Sequence, residues 1–310
     1  MDRSKALETA YQLINSPIDP NQKCALVLED IVNYKESEAG ETVEYFASPA
    51  QDRGVDDIYT ADANGLVTFH KVPLKGVTAL SFVGLQSKEE TVLINEILNS
   101  KDQTALAAKK NAIIRAMDNE EVRRCINLCL AVASQEVEKD TGEDILDVII
   151  KMKQKVSDYA TNYVLAVASD VMDEIEKYDK DNVGTFNYKM SILEEIAKLG
   201  ITKIVKILGN SGLDAGNTPV LAAGKAILVG RDSNLTEGKP ITFLRRKFSG
   251  EIATQSGSKD GDVRLVDIEK AISPVSGGQR VLGYSVLGYE SIIQVLLNYR
   301  AISWSDQILS

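Results

Sequence analysis

The stretch GLVTFHKVPLKGVTALSFVGLQSKEETVLINEIL, residues 65–98, changes its residue pattern twice. Residues 65–72 follow an Asn-Gly turn signal and alternate apolar with polar side chains, which predicts a strand. GVTALSFVGL predicts a second strand. Ser87 and Glu90 then have the spacing of a capping box, which predicts that a helix starts in SKEETVLINEILNS. The stretch therefore predicts a long extended segment that returns into a packed domain.

Upstream of this stretch, two helical patterns precede the extended segment. Residues 3–15 and 19–35 carry apolar residues at helical spacing and are separated by the helix-breaking Ser16-Pro17 pair. ETVEYF, residues 41–46, predicts a strand. The polar stretch that follows cannot form a core alone, so we expect this excursion to be disordered or to contact another molecule.

Downstream, the pattern is helical and then mixed. Residues 103–117 and 119–138 predict a longer helical region, and another helix follows the Thr141-Gly142 break. The later elements alternate strands with helices. The predicted strands are YVLAVAS (163–169), ITKIVKIL (201–208), KAILVG (225–230) and PITFLRRK (240–247), and further strands follow after residue 262; the predicted helices are SDVMDEIEKY (169–178) and YKMSILEEIAKL (188–199). The fold class is α+β.

Composition limits the classes of function. A chain of 310 residues with 44% hydrophobic residues can bury a substantial core. Its net charge of −10, without a Lys/Arg block, argues against tight nucleic-acid binding. The sequence has neither a signal-peptide pattern nor an apolar run long enough to span a membrane. Three cysteines are an odd number, which favours buried thiols in a reducing compartment over a disulfide framework.

Tests for catalytic chemistry give no nucleophile and no general base. His70, the only histidine, lies in an alternating strand with no nucleophile or acid converging on it. GYSVLG (283–288) has Leu287 where a nucleophile elbow needs glycine. We therefore predict no catalytic residue.

Cofactor and metal motifs are also incomplete. The glycines after ITKIVKIL lack the G-x-G-x-x-G spacing, and Gly224-Lys225 lacks the rest of a P-loop. DKDNVG (179–184) begins like a calcium loop, but Val183 and Met190 occupy ligand positions. Cys125 and Cys129 cannot complete a zinc site, which usually takes four ligands, so we interpret them as core residues.

The order of segments resembles the tailed-bacteriophage major capsid protein family, whose fold also builds encapsulin shells. Residues 65–98 are similar to the return strand of that family's extended loop and to the strand and helix that enter its peripheral domain. Residues 103–138 are similar to its long spine helix. Residues 142–178 resemble the helix, strand and helix that lead into its axial domain, and residues 218–232 and 242–247 resemble later axial strands.

The resemblance implies a phage major-capsid-type fold with four parts. Residues 1–40 would be an N-terminal arm, and residues 41–75 an extended loop that reaches another subunit. Residues 76–160 and 263–310 would form a peripheral domain with the spine helix. Residues 161–262 would form the axial α/β domain. Because only about 40 residues precede the extended loop, scaffolding is expected from a separate protein or not at all.

The resemblance also implies a function without catalysis or cofactor. The chain would be a structural shell protein that self-assembles into pentamers and hexamers of an icosahedral tailed-phage or prophage capsid. This shell would enclose double-stranded DNA without binding it specifically. The expected location is the virion capsid, assembled in the host bacterial cytoplasm, and no membrane is involved. Further expected partners are scaffolding, portal and decoration proteins.

Two sets of residues are candidate contacts in such a shell. An extended loop that cannot bury its own apolar side chains can bury them on a neighbouring subunit. The candidate intersubunit contacts are Val67, Phe69, His70, Lys71, Val72 and Leu74. A glycine-bearing loop can adopt different conformations in rings of five and six. The candidate ring-centre loop contains Gly209, Gly212 and Gly216.

Two alternatives remain open at this stage. One is an encapsulin, a cellular compartment of the same fold that encloses an enzyme instead of DNA. The other is an α/β enzyme or small-molecule-binding protein that uses the loop within residues 200–232, which a ligand-dependent rise in thermal stability would reveal.

Overall fold

A computed structural model describes ten ranges of the chain, and these fall into two units. The ranges are 30–37, 42–46, 77–87, 90–93, 104–182, 192–207, 219–231, 238–248, 264–275 and 278–309. One unit comprises the described residues between 39 and 82, and the other comprises all the rest.

Twelve strands, four α-helices and two short 3-10 helices lie in these ranges. The strands are β1 (Asn33–Ser37), β2 (Thr42–Phe46), β3 (Val77–Ser81), β4 (Val83–Gln86), β5 (Glu90–Leu93), β6 (Asn162–Ala168), β7 (Ile201–Ile207), β8 (Ala226–Arg231), β9 (Ile241–Arg246), β10 (Arg264–Val275), β11 (Gly278–Leu296) and β12 (Ile302–Ser305). The helices are α1 (Thr104–Leu130), α2 (Ile145–Val156), α3 (Ser169–Asn182) and α4 (Ile192–Lys198). None of these described helices is both long and apolar enough to cross a membrane.

The smaller unit contains one antiparallel pair of strands. β2 pairs with β3, and Phe46, the last residue of β2, lies opposite Val77, the first residue of β3. The chain therefore leaves this pair and returns to it at directly opposed positions.

In the larger unit, a four-stranded sheet has the order β12, β8, β6, β7. β6 runs parallel to β7 and antiparallel to β8. Every residue of β6 after Asn162 is buried, as expected for a strand covered on both faces. α2 packs on β12 and β8, α3 on β6 and β7, and α4 on β7. This sheet and its helices form the centre of the apolar core.

Local signals set the ends of the helices in this region. Asp144 caps α2, because its side chain accepts a hydrogen bond from the Asp147 backbone N–H while the Asp147 carboxylate accepts one from the Asp144 N–H. Gly200 follows α4 with a φ of +88°, a conformation that favours glycine after a helix. The predicted break at Gly200 is thus confirmed.

A six-stranded sheet is organised around β11. β10 and β9 pair with successive stretches of one edge of β11, and β5 and β4 pair with the other edge. β1 adds to β9 in parallel. α1 packs across β11, where Gly288 permits the close approach: a Cβ there would lie 2.7 Å from the Met117 sulfur and 2.8 Å from Ile113 Cγ2.

Three sequence predictions are corrected by this arrangement. Residues 90–93 form strand β5 and not a helical turn, because Thr91 and Val92 pair with β11 and the Ser87 hydroxyl accepts a hydrogen bond from Gly288 N–H. The helix expected over 19–35 does not continue to its predicted end, since β1 begins at Asn33. The longer helical region predicted over 103–138 is one helix, but it ends at Leu130 and not at residue 138.

The later strands are not divided between the two sheets in the order of the chain. Strand β9, which resembles an axial strand, lies in the six-stranded sheet. Strand β12, near residue 310, closes the four-stranded sheet beside β8. The predicted domain boundaries themselves stay a prediction.

Candidate functional site

The candidate intersubunit residues lie outside the described part of the chain. Val67, Phe69, His70, Lys71, Val72 and Leu74 fall between residues 47 and 76. The structure does describe both ends of this segment, because β2 and β3 hold Phe46 and Val77 opposite each other. The paired ends are compatible with the predicted excursion.

The candidate ring-centre glycines Gly209, Gly212 and Gly216 also lie outside the described residues. The start of α3 contacts the chain on both sides of this loop. The Ser169 hydroxyl donates to the Ile207 carbonyl oxygen at 3.1 Å, just before the loop. The Asp170 carboxylate accepts from Gly224 N–H at 2.8 Å, after it.

Between α1 and the six-stranded sheet, the described residues contain a buried group of five charged side chains, here named the charge cluster. Its members are Asp118, Glu121, Arg245, Arg264 and Glu290. The exposed fraction of each of the three carboxylate side chains is 4% or less, and that of each arginine is 13% or less.

Neighbouring elements place these side chains together. Asp118 and Glu121 are three residues apart on α1 and therefore share one face of the helix. Arg264 of β10 lies directly opposite Glu290 of β11. Arg245 of β9 lies opposite Ile292, two residues further along β11, and therefore on the same face of the sheet as Glu290.

Arg245 binds one carboxylate with two hydrogen bonds, whereas Arg264 contacts all three carboxylates. Arg245 donates from Nε to Glu121 Oε1 at 2.6 Å and from Nη2 to Glu121 Oε2, a bidentate pair. Arg264 donates from Nε to Glu290 Oε2 and from Nη1 to Asp118 Oδ1, both at 2.8 Å. Its Nη2 lies 3.3 Å from Glu121 Oε1. These contacts join α1 to three strands of the sheet.

A tyrosine and a phenylalanine extend the charge cluster to β1. The Tyr34 ring stacks on Phe243 with ring centroids 6.1 Å apart, and the Arg245 guanidinium lies 5.1 Å from the Tyr34 centroid. Arg245 Nη1 donates to the Tyr34 hydroxyl at 3.4 Å. Burial raises the pKa of Tyr34, although the positive charge of Arg245 partly opposes this. Tyr34 therefore remains a neutral phenol beside the arginine.

The pKa values of the arginines reflect competing effects. Burial acts to lower the pKa of Arg245, but the hydrogen bonds and negative charge of Glu121 outweigh it and the pKa is raised. The pKa of Arg264 is also raised, because Glu290, Glu121 and Asp118 together outweigh its burial. Both guanidiniums therefore stay charged.

The sequence prediction missed this charge cluster, although a signal was present. Asp118 and Glu121 fall between the buried Met117 and Val122, so they interrupt the apolar face of a long helix. Glu290 interrupts an apolar strand in the same way. Charged side chains at such positions are rarely buried unless they are paired, which would have suggested a buried ionic group.

The two cysteines of α1 are core residues, as predicted. Cys125 and Cys129 are buried free thiols. Burial raises the pKa of Cys125 and raises that of Cys129 to about 12, so both are protonated and unreactive at neutral pH. Within the described ranges, no group of three or more His, Cys, Asp or Glu side chains is arranged to hold a metal ion.

Comparison with known proteins supports the fold. No protein-family model matches the chain, and no curated protein matches it in sequence. Solved structures do match. A chain from Mycobacterium phage Cain is 11% identical with a TM-score of 0.57, and the match covers 100% of this chain and 99% of that one.

Two further matches span nearly the full length of both chains. The virus-like particle from Pyrococcus furiosus is 12% identical, with 99% and 100% of the two chains covered and a TM-score of 0.50. The holo-SrpI encapsulin complex from Synechococcus elongatus is 12% identical, with 98% and 96% covered and a TM-score of 0.51. The fold predicted from the segment order is confirmed.

Proposed function

We propose that this chain, which has the fold of phage major capsid proteins and encapsulins, is the shell subunit of a tailed-phage or prophage capsid. The observation that carries the proposal is the match to the chain from Mycobacterium phage Cain, which extends over the full length of both chains. In this function the chain assembles with copies of itself into pentamers and hexamers of an icosahedral shell around double-stranded DNA.

The paired ends of the segment 47–76 support a role for it in assembly. A segment that starts and ends at opposed positions of a strand pair can reach a neighbouring copy without disturbing the fold that carries it. In the proposed shell, Phe69 and its apolar neighbours contact the next subunit. The loop that contains Gly209, Gly212 and Gly216 lies where five or six subunits meet.

The acidic composition supports a container that does not bind its contents tightly. A net charge of −10 repels nucleic acid, so the enclosed DNA is held by the shell and not by specific contacts. The proposal involves no catalysis. It places the chain in the virion capsid after assembly in the host bacterial cytoplasm, with scaffolding, portal and decoration proteins as further partners.

The second candidate is an encapsulin shell. The similarity to the holo-SrpI encapsulin complex, which covers 98% of this chain, favours it. An encapsulin would enclose a protein cargo, so the contents of an isolated shell distinguish the two candidates.

The first test is to express residues 1–310 and examine the product by sedimentation and negative-stain electron microscopy. We expect closed shells, rings of five or six, or tubes. A monomer or dimer that stays small at high concentration would contradict both shell functions. Shells recovered from the natural host would then be analysed for DNA and for protein cargo.

A pair of variants tests the role of the extended segment. Phe69→Glu places a charge among the proposed intersubunit contacts, so we expect it to abolish shells without lowering the thermal stability of the free subunit. Gln154→Glu is the control, because it adds the same charge at an exposed position of α2, outside the proposed contacts. Normal shells from Phe69→Glu would contradict the proposed contact.

A further inference from the structure

The charge cluster contains one carboxylate more than it has guanidiniums. If Asp118, Glu121 and Glu290 were all ionised, the two arginines would leave one negative charge uncompensated. All three carboxylates are almost completely buried. An uncompensated buried charge is strongly destabilising, so the charge cluster needs one further positive charge.

Glu290 has the geometry to carry that charge as a proton. Its Oε2 accepts a hydrogen bond from Arg264, but its Oε1 is buried and accepts none from the described residues. Arg264 holds the Glu121 and Glu290 carboxylates beside each other, because its Nε lies 2.8 Å from Glu290 Oε2 and its Nη2 lies 3.3 Å from Glu121 Oε1. Two ionised carboxylates can only accept hydrogen bonds, so a bond between them requires a proton.

We propose that Glu121 and Glu290 form a buried proton-binding site, and that the bound proton holds the long helix α1 against the long strand β11. Loss of the proton leaves two negative carboxylates facing each other between these two elements. The contact between α1 and β11 is then weaker above neutral pH than below it. This site is a property of the folded chain and does not depend on the proposed shell function.

The groups around Glu290 support this assignment. Burial raises the pKa of Glu290, the positive charge of Arg264 lowers it, and the negative charge of Glu121 raises it again, to about 7. Among the described residues, the charged and titratable side chains that face the site are Asp118 and Glu121 of α1, Arg245 of β9 and Arg264 of β10, with Tyr34 of β1 behind Arg245. On β4, the residue that pairs with Glu290 is the apolar Leu85.

The direction of the pH dependence follows from the two protonation states. Below pH 4.5 the folded and unfolded chains both carry the Glu290 proton, and the stabilisation is fully present. Between pH 4.5 and about 7 only the folded chain carries it, so the free energy of unfolding falls as the pH rises. Above about pH 7 the loss is complete. The pKa of Glu120 is lowered, so this carboxylate changes the stability only at pH values below this window.

The test measures denaturant unfolding from pH 5 to pH 8 in a His70→Gln background. This background removes the only other side chain type whose ordinary pKa lies in the window. We expect the unfolding equilibrium constant to rise by up to about tenfold per pH unit, and Glu290→Gln to remove this rise. Glu174→Gln, at an exposed ion pair, is the matched control and should keep it.

A second measurement does not need the variant to fold. Infrared spectroscopy of the folded chain should show the carbonyl band of a protonated carboxyl at pH 6, and this band should disappear by pH 9. Hydrogen-exchange protection of α1 should fall over the same range. Absence of the band at pH 6, or an unchanged pH dependence in folded Glu290→Gln, would overturn the proposal.

Discussion

The four-stranded sheet buries mainly apolar side chains, whereas the six-stranded sheet buries three carboxylates and two guanidiniums under α1. In the first sheet, Val164, Leu165 and Leu228 are fully buried, and the helices that cover it present apolar faces. In the second, Glu121 and Glu290 are as deeply buried as those residues. The two sheets belong to the same unit but are stabilised by different interactions.

The comparison shows where each region is vulnerable. Apolar burial is not directional. A substitution that shortens an apolar side chain in the four-stranded sheet therefore lowers the free energy of unfolding in proportion to the buried apolar surface that is lost. The charge cluster depends on the number and placement of its members. Removing an arginine leaves buried carboxylates without compensation, so its loss affects α1, β9, β10 and β11 together.

The largest effect is expected from Arg264→Met at pH 8. This change keeps most of the apolar stem but leaves three buried carboxylates with one arginine. We expect the free energy of unfolding to fall by about 3 to 5 kcal/mol, measured by urea unfolding. The double variant Arg264→Met with Glu290→Met restores the original charge difference and should lose much less.

Arg115→Ala is the control for this prediction, because Arg115 is exposed on the same helix. We expect it to change stability by less than about 0.5 kcal/mol. If Arg264→Met had as small an effect as Arg115→Ala, the six-stranded sheet would not depend on the compensation of its buried charges.

An intermediate effect is expected from Gly288→Ala, which tests the close approach of α1 to β11. The added methyl group would press on Ile113 and Met117, so we expect a loss of about 1 to 3 kcal/mol. Gly84→Ala in β4 is the matched control in the same sheet, because its new Cβ would have no atom within 4 Å. Equal effects in thermal unfolding would show that the spacing between helix and strand is not tight.

The smallest effect is expected in the other region, from Asp144→Ala. This change removes the side chain that accepts the Asp147 N–H, so α2 loses its cap and we expect a loss of about 1 kcal/mol. Asp158→Ala, at an exposed position beyond the end of the same helix, should have no measurable effect. A loss as large as that of Arg264→Met would mean that local signals matter as much as the charge cluster.

The contrast between local signals and contacts between distant segments explains which parts of the structure the sequence could predict. The run YVLAVAS and the break at Gly200 are local signals, and β6 and the end of α4 follow from them. Strand β5 was mistaken for a helix because Ser87 and Glu90 have capping-box spacing. Nothing within that short segment indicates that it pairs with residues 283–286.

The charge cluster could not be assembled from the sequence for a related reason. Arg245 and Glu121 are 124 positions apart, and Arg264 and Asp118 are 146 apart. A residue pattern can show that a charged side chain interrupts an apolar face, but not which distant side chain compensates it. The contact residues predicted in 47–76 and 208–218 stay predictions.

The pairing of β1 with β9 has a consequence for the time course of folding. Asn33 Nδ2 donates to the Lys239 carbonyl oxygen across 206 positions of sequence, and the two strands meet in parallel. Contacts of such long sequence separation close late, because the chain between them must first be ordered. Until these contacts form, one edge of β9 can pair with β1 of a nearby copy. Refolding at high concentration should therefore yield strand-exchanged dimers, and dilute refolding should yield few.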